Sequence, residues 1–205
     1  MGESMNTWNK KYGIFGGSFD PVHNGHRIIA SYALDALGLD FLYVIPALNP
    51  PHKNSVNAPF EKRFSWLQRS FSGEKRIVIS SYEGKKRGIS YTIDTVKHYT
   101  EVHGTAPYLI IGEDSLRNIT SWYKYQELLK EAFIVVYPRF KRTTIKQVLR
   151  SLEPYEKKGI VVLNAPLIEL SATEIRQRIR MQKSIMGMVP ESIVAEVKAF
   201  YEKEL

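Results

Sequence analysis

The sequence predicts an α/β fold: a doubly wound, mainly parallel sheet carrying a C-terminal helical segment. Three observations predict it. Short apolar runs alternate with longer stretches of helical spacing along most of the 205 residues, the order required by parallel strands joined through helical crossovers. The runs are continuously apolar rather than alternating, as strands buried on both faces are. After residue 170 the alternation stops and two helical patterns follow one another.

The strand-like runs are residues 12–15, 41–46, 76–80, 108–111, 133–137 and 160–163. Each is rich in β-branched or aromatic residues and bounded by Gly, Pro or polar residues. Between the first two, residues 24–37 place Ile28, Ile29, Tyr32, Ala33, Ala36 and Leu37 at helical spacing, and Gly38 supplies the stop. Residues 60–71, 91–102 and 123–131 also fit helices, as do 172–180 and 191–204 at the end. The arrangement is Rossmann-like. It is expected to form one domain over residues 1–205, with 1–11 an N-terminal arm and 171–205 a helical segment packed on the sheet. In such sheets ligands bind beyond the carboxyl ends of the strands, where strand order reverses.

Composition narrows the chemistry. Hydrophobic residues make up 43% and charged residues 24%, which excludes wholesale disorder. The absence of cysteine excludes disulfides, thiolate nucleophiles and cysteine metal sites. No stretch reaches the about 18 apolar residues of a membrane span, and the polar start lacks an apolar signal core, so a cytoplasmic setting is expected. The net charge of +8 implies an anionic partner: nucleic acid, a membrane surface or a phosphorylated small molecule.

The densest motif directly follows the first strand, where residues 16–26 read GGSFDPVHNGH and run into the first helix. Gly16 and Gly17 let the backbone turn and approach a ligand closely, with Ser18 and Phe19 next in the loop. The helix start near Asn24 supplies N–H groups and the positive end of a dipole, a natural anion site. His23 and His26, three residues apart, share one face of that first turn and can donate to phosphate oxygens. Three other nucleotide or metal signatures are absent: GxxxxGK[ST], GxGxxG after the strand, and HExxH.

Later segments add matching chemistry. In LSATEIR, residues 170–176, Ser171 and Glu174 have capping-box spacing, which starts a helix in its own right. Thr173 and Arg176 fall in the same region, so hydroxyls, N–H groups and a guanidinium can converge on one anion. Gly112 and Asp114 follow the fourth run, where a glycine admits a sugar and a carboxylate accepts from its hydroxyls; capping the next helix is the other use of Asp114. The loop 46–53, PALNPPHK, offers Lys53 to a phosphate or to solvent. Tyr91, Thr92 and Trp122 supply aromatic planes and backbone donors for a ring, or simply core.

These segments lie in order from residue 13 to about 190, together with SYT at 90–92, GEDS at 112–115 and WY at 122–123 before Gln126 and Glu127. The set resembles the HxGH nucleotidyltransferases, and in detail the bacterial nicotinate-nucleotide adenylyltransferases. The resemblance implies adenylyl transfer from ATP to nicotinate mononucleotide, giving nicotinate adenine dinucleotide (deamido-NAD) and pyrophosphate in NAD biosynthesis. Mg2+ would arrive bound to ATP, with no protein metal ligand named. His23 and His26 would be catalytic at the α- and β-phosphates, and Ser171, Thr173 and Arg176 would hold the β- and γ-phosphates. Gly16, Gly17, Ser18 and Phe19 would line the ATP site, with Gly112 and Asp114 at its ribose. Lys53, Tyr91, Thr92, Trp122 and Arg139 would hold the mononucleotide. Arg139 stands in YPRF, residues 137–140, whereas the family places its arginine after an aliphatic pair.

Other readings compete. Nicotinamide mononucleotide differs from nicotinate mononucleotide by an amide in place of a carboxylate, and backbone donors favour the carboxylate. Adenylyltransferases acting on phosphopantetheine usually carry threonine where this chain has His23. A basic nucleic-acid-binding module could use residues 85–87 and 139–142. The ordered motifs select small phosphates over nucleic acid and membrane. A homo-oligomeric contact through the C-terminal helices is left open.

Overall fold

The computed structural model describes residues 10–49, 56–85, 88–89, 91–138 and 159–203. Its strands are β1 (Tyr12–Gly17), β2 (Phe41–Pro46), β3 (Ile77–Ile79), β4 (Tyr108–Gly112), β5 (Phe133–Tyr137) and β6 (Ile160–Val162). The α-helices are α1 (Asn24–Ala36), α2 (Phe60–Ser70), α3 (Thr92–His103), α4 (Glu113–Arg117), α5 (Tyr125–Glu131), α6 (Ala172–Arg180) and α7 (Val194–Glu202). The strands form one sheet in the order β3-β2-β1-β4-β5-β6, and every neighbouring pair is parallel.

Continuous apolar runs become strands here because both faces of the sheet are covered. Successive side chains point to opposite faces. Leu42 and Val44 of β2, Ile110 of β4 and Val135 of β5 enter one core, which also holds Ala33 of α1, Trp66 of α2, Ile175 of α6 and Tyr201 of α7. Their strand neighbours Ile45, Leu109, Ile111, Ile134 and Val136 enter the other core, with Val96 of α3, Leu116 of α4 and Leu128 of α5. The two C-terminal helices therefore close one face rather than extend away from it.

After β3 the chain crosses back through α3 to place β4 on the far side of β1. Strand order thus reverses between β1 and β4, and a crevice opens beyond their carboxyl ends. Phe15 of β1 lies level with Ile110 of β4 in this pair, so the loops after both strands emerge side by side.

Several element ends differ from those expected. The third run shortens from 76–80 to Ile77–Ile79. The helix expected at 91–102 starts at Thr92, because Tyr91 is extended (φ −89°, ψ 132°), and it continues to His103, where Gly104 takes a left-handed conformation (φ 71°). The helix expected at 123–131 starts at Tyr125, since Lys124 is itself left-handed (φ 53°). Residues 191–204 divide into a 3-10 turn, Glu191–Ile193, and α7. Among the described residues no helix is long and apolar enough to cross a membrane.

Candidate active site

A cavity of about 360 Å³ opens at the β1/β4 reversal. Gly16 and Gly17 at the end of β1 and Gly112 at the end of β4 contribute to its wall. Ser18 and Phe19 continue that wall, and His23 and His26 bring in the first turn of α1. Ser171, Thr173 and Arg176 line it from α6 and its cap. Tyr91, Thr92 and Trp122 complete a more aromatic end. Thirteen residues expected at the site from the sequence, running from Gly16 to Arg176, thus share one cavity.

The sequence of the β1–α1 loop explains its shape. Phe19 is buried with a left-handed backbone (φ 47°), an unusual state for a bulky residue. Its ring lies edge-on to His26, with centroids 4.8 Å apart, and edge-on to Phe15 at 5.5 Å. A Cβ on Gly17 would stand 3.1 Å from the Phe19 ring, so a larger residue 17 would press that ring out of its place by a few tenths of an ångström. A Cβ on Gly25 would likewise approach His23 Nδ1 and Ile168 to 3.0 Å.

His23 is extended (φ −141°, ψ 168°) and forms the N-cap of α1, which puts His26 one turn further on. The two imidazoles stack, with centroids 3.6 Å apart and planes 23° apart. The His23 backbone N–H donates to His26 Nδ1 at 3.2 Å. An accepting Nδ1 carries no proton, so the neutral His26 ring holds its hydrogen on Nε2 and presents that edge as a donor. The Asn24 N–H is taken up by the Met188 carbonyl at 2.9 Å, so this donor of the first turn is not offered to an anion.

At α6 the capping pattern forms as its spacing predicts: Ser171 Oγ accepts from the Glu174 N–H at 3.1 Å. Arg176 is fixed from two sides. Its Nη1 donates to the Asp20 carbonyl at 2.5 Å, and its Nη2 donates to Thr173 Oγ1 at 3.3 Å. The two ends of the chain's motif set are therefore bonded directly to each other.

Beneath the loop lies a buried charge cluster that sequence reasoning missed. Asp20 is 3% exposed, and its carboxylate accepts from the Asn57 N–H (2.9 Å), the Ala58 N–H (2.9 Å) and the Tyr201 hydroxyl (2.5 Å). Arg63, 1% exposed, donates to the Ser18 carbonyl at 2.7 Å and the Ala58 carbonyl at 2.9 Å. Burial pushes the Arg63 guanidinium below its usual range, and the neighbouring Asp20 charge works against that. A usable signal existed. Arg63 sits with Trp66, Leu67 and Ser70 on the core face of α2, where an arginine needs carbonyl partners.

At the aromatic end, the Tyr91 and Tyr123 rings stand 4.4 Å apart. Glu83, 7% exposed, also lines the cavity and accepts from Thr95 Oγ1 at 2.9 Å, another residue the motifs did not reveal. One expected position differs. Asp114 is half-buried in the first turn of α4 and is not among the cavity-lining residues, whereas Ser115 is. Helical residues project about 100° apart. With Glu113 turned into the core against Arg117, the next positions diverge and Ser115 meets the cavity. Lys53 and Arg139 lie outside the described residues.

Comparison with known proteins gives the chain's family. Residues 14–178 match the cytidylyltransferase-like family model. The chain is 48% identical over 197 residues to a probable nicotinate-nucleotide adenylyltransferase of Pseudothermotoga lettingae, covering 96% of this chain and 99% of that one. It is 46% identical over 202 residues to the protein of the same name from Thermotoga maritima, covering 97% and 95%. In fold it is similar to a Plasmodium falciparum nicotinic acid mononucleotide adenylyltransferase solved with NaAD, with a TM-score of 0.75, 18% identity, and coverage of 95% of this chain and 96% of that one. Near-full-length identity of this order, in a chain whose HxGH and SxTxxR segments meet across one cavity, makes it a member of the nicotinate-nucleotide adenylyltransferase family.

Proposed function

We propose that this protein transfers the adenylyl group of ATP to nicotinate mononucleotide, forming nicotinate adenine dinucleotide and pyrophosphate in the synthesis of NAD. The observation that carries the reading is the meeting of the α1 and α6 N-terminal regions, with His23, His26, Ser171, Thr173 and Arg176, around one cavity at the strand reversal. Two helix starts and a guanidinium lining one cavity suit a polyphosphate. The names of the relatives, nicotinate-nucleotide adenylyltransferases, support nicotinate mononucleotide as the acceptor.

In this reading a phosphate oxygen of the mononucleotide attacks the α-phosphorus of ATP in line. The new P–O bond forms as the bond from the α-phosphorus to the bridging oxygen breaks, and pyrophosphate leaves with that electron pair. The protein's task is positioning and charge stabilisation, without a covalent intermediate. His26 donates from Nε2 to the reacting phosphates, and His23 supports it in the stack. Arg176, Ser171 and Thr173 receive the charge that develops on the leaving group. Gly16, Gly17 and Gly112 let the nucleotide approach the backbone, and Ser18 and Phe19 shape that wall.

The pyridine ring is held at the aromatic end by Tyr91 and Trp122, with backbone donors near Thr92 for its carboxylate. Lys53 and Arg139 serve the mononucleotide phosphate. Magnesium bound with ATP would supply charge neutralisation on the leaving group. Among the described residues no group of three or more His, Cys, Asp or Glu side chains comes together that could hold it. A cytoplasmic setting fits the reading, since both substrates are intracellular metabolites.

The test is direct. Purified protein with ATP and Mg2+ should release pyrophosphate and form the dinucleotide on addition of nicotinate mononucleotide, and much more slowly with nicotinamide mononucleotide. Absence of pyrophosphate release with both acceptors overturns the reading.

A further inference from the structure

Tyr201 stands on the last helix, 0% exposed, and its hydroxyl reaches Asp20 Oδ1 at 2.5 Å across 181 positions of sequence. We propose that Tyr201 is a positioning residue for ATP: by holding the Asp20 carboxylate, its hydroxyl keeps the Arg176 guanidinium on the cavity wall. The inference rests on the reading that this cavity binds the phosphates of ATP.

The geometry supplies the reason. Asp20 Oδ1 accepts from both the Ala58 N–H and Tyr201, and Oδ2 accepts from the Asn57 N–H. Three donors occupy most of the acceptor positions of a carboxylate. Arg176 Nη1 is 3.8 Å from Oδ2, close enough to feel the charge, yet it bonds the Asp20 main-chain carbonyl instead. The arginine is thereby fixed to the loop without being folded down onto the carboxylate. Without the Tyr201 hydroxyl, Oδ1 loses a charge-assisted bond and the carboxylate is less neutralised. The nearby guanidinium of Arg176 then closes on it and is withdrawn from the cavity.

Tyr201 is well placed to act in this way without being mobile itself. Its ring packs beside Trp66 of α2, with centroids 6.0 Å apart, and Val197 lies one turn before it on the buried face of α7. Tyr201→Phe keeps that packing and removes only the hydroxyl.

The experiment uses the full chain, its Tyr201→Phe and Arg176→Ala variants, and the double variant. Affinity for a non-hydrolysable ATP analogue is measured by calorimetry, alongside KM for both substrates and thermal melting. The expected result for Tyr201→Phe is about a tenfold loss of ATP-analogue affinity, the size of one charge-assisted hydrogen bond, with KM for nicotinate mononucleotide within about twofold. In the Arg176→Ala background the same change should have no further effect on that affinity. Unchanged affinity in Tyr201→Phe overturns the proposal. So does an equal loss for both substrates with a lowered melting temperature, or an additive loss in the double variant. Wild-type turnover separates the two ideas: no pyrophosphate from the wild type refutes the functional reading, whereas an active wild type with additive variants refutes only the role of Tyr201.

Discussion

The backbone N–H of His23 donates to Nδ1 of His26 at 3.2 Å while the two rings stack 3.6 Å apart. One histidine thus sets the tautomer and the plane of the other. The bond needs an extended N-cap at residue 23 and a helix turn that brings residue 26 back over it, which the spacing in HNGH provides. The donor edge of His26 is set by the backbone N–H of His23, and the His23 ring stacks against it to hold its plane.

Replacing either should therefore be costly to turnover and mild for the fold. His26→Ala is expected to lower kcat/KM at least about a hundredfold, the usual cost of losing one charge-stabilising donor. His23→Ala retains the backbone N–H but loses the stacked ring, so a fall of the same order is expected. Steady-state assays with circular dichroism check both. Near-wild-type turnover in the two variants would show that neither ring touches the reacting phosphates.

Gly17→Ala tests the loop from beneath. The new Cβ would meet the Phe19 ring at 3.1–3.4 Å, and that ring is 1% exposed, with Phe15 and His26 against its other sides. Displacing it would press it against those two rings. Overpacking of this kind costs about 1–3 kcal/mol. The expected outcome is a melting temperature lowered by several degrees together with a kcat loss larger than any change in KM. A variant that is destabilised yet fully active would separate Phe19 from the catalytic ring.

Much of this arrangement is legible in the chain. The strand runs read correctly because burial on both faces leaves no polar alternation, as in Leu109 to Ile111. The cavity walls read from motifs whose residues touch ligands through fixed local geometry: Gly16 and Gly17, His23 and His26, Ser171 and Thr173. What stayed hidden depends on distant partners. Arg63 and Tyr201 are polar groups at core spacing, and only the fold shows that carbonyls and Asp20 await them. Glu83 opens a short 3-10 turn, Glu83–Lys85, too brief to show periodicity, and its use depends on Thr95 being twelve residues ahead on α3. For Asp114 and Ser115 a motif fixes where a residue sits in the chain, whereas the start of α4 fixes which side chain lines the cavity.

Trp122→Ala probes the aromatic end. An aromatic plane under a nucleotide base is worth about 1–3 kcal/mol. If Trp122 carries the pyridine, KM for nicotinate mononucleotide should rise about tenfold and KM for ATP should hold. The comparison is clean, since Ser171, Thr173 and Arg176 sit on a different helix. Equal changes in both constants would assign Trp122 to packing alone.

The second core carries a pH dependence of its own. Tyr12, Tyr43 and Tyr99 surround His103 on the face opposite α1, and Tyr43 OH lies 3.2 Å from His103 Nε2. Burial pushes all three phenols upward, Tyr99 from 10.0 to about 12. Each folded-state value stands above the unfolded one, so the unfolded chain gives up its phenol protons first as pH rises. Between about pH 10 and 12 the native state binds more protons than the unfolded state, and stability must fall with pH in that window. Below it the contribution is fully present and constant. Denaturant titrations at stepped alkaline pH should show this decline, and Tyr99→Phe should flatten it. Tyrosinate absorbance gives the independent check: in the native protein these phenols should ionise only as the chain unfolds. A normal, reversible ionisation of every tyrosine near pH 10 without loss of structure would show that water reaches this core.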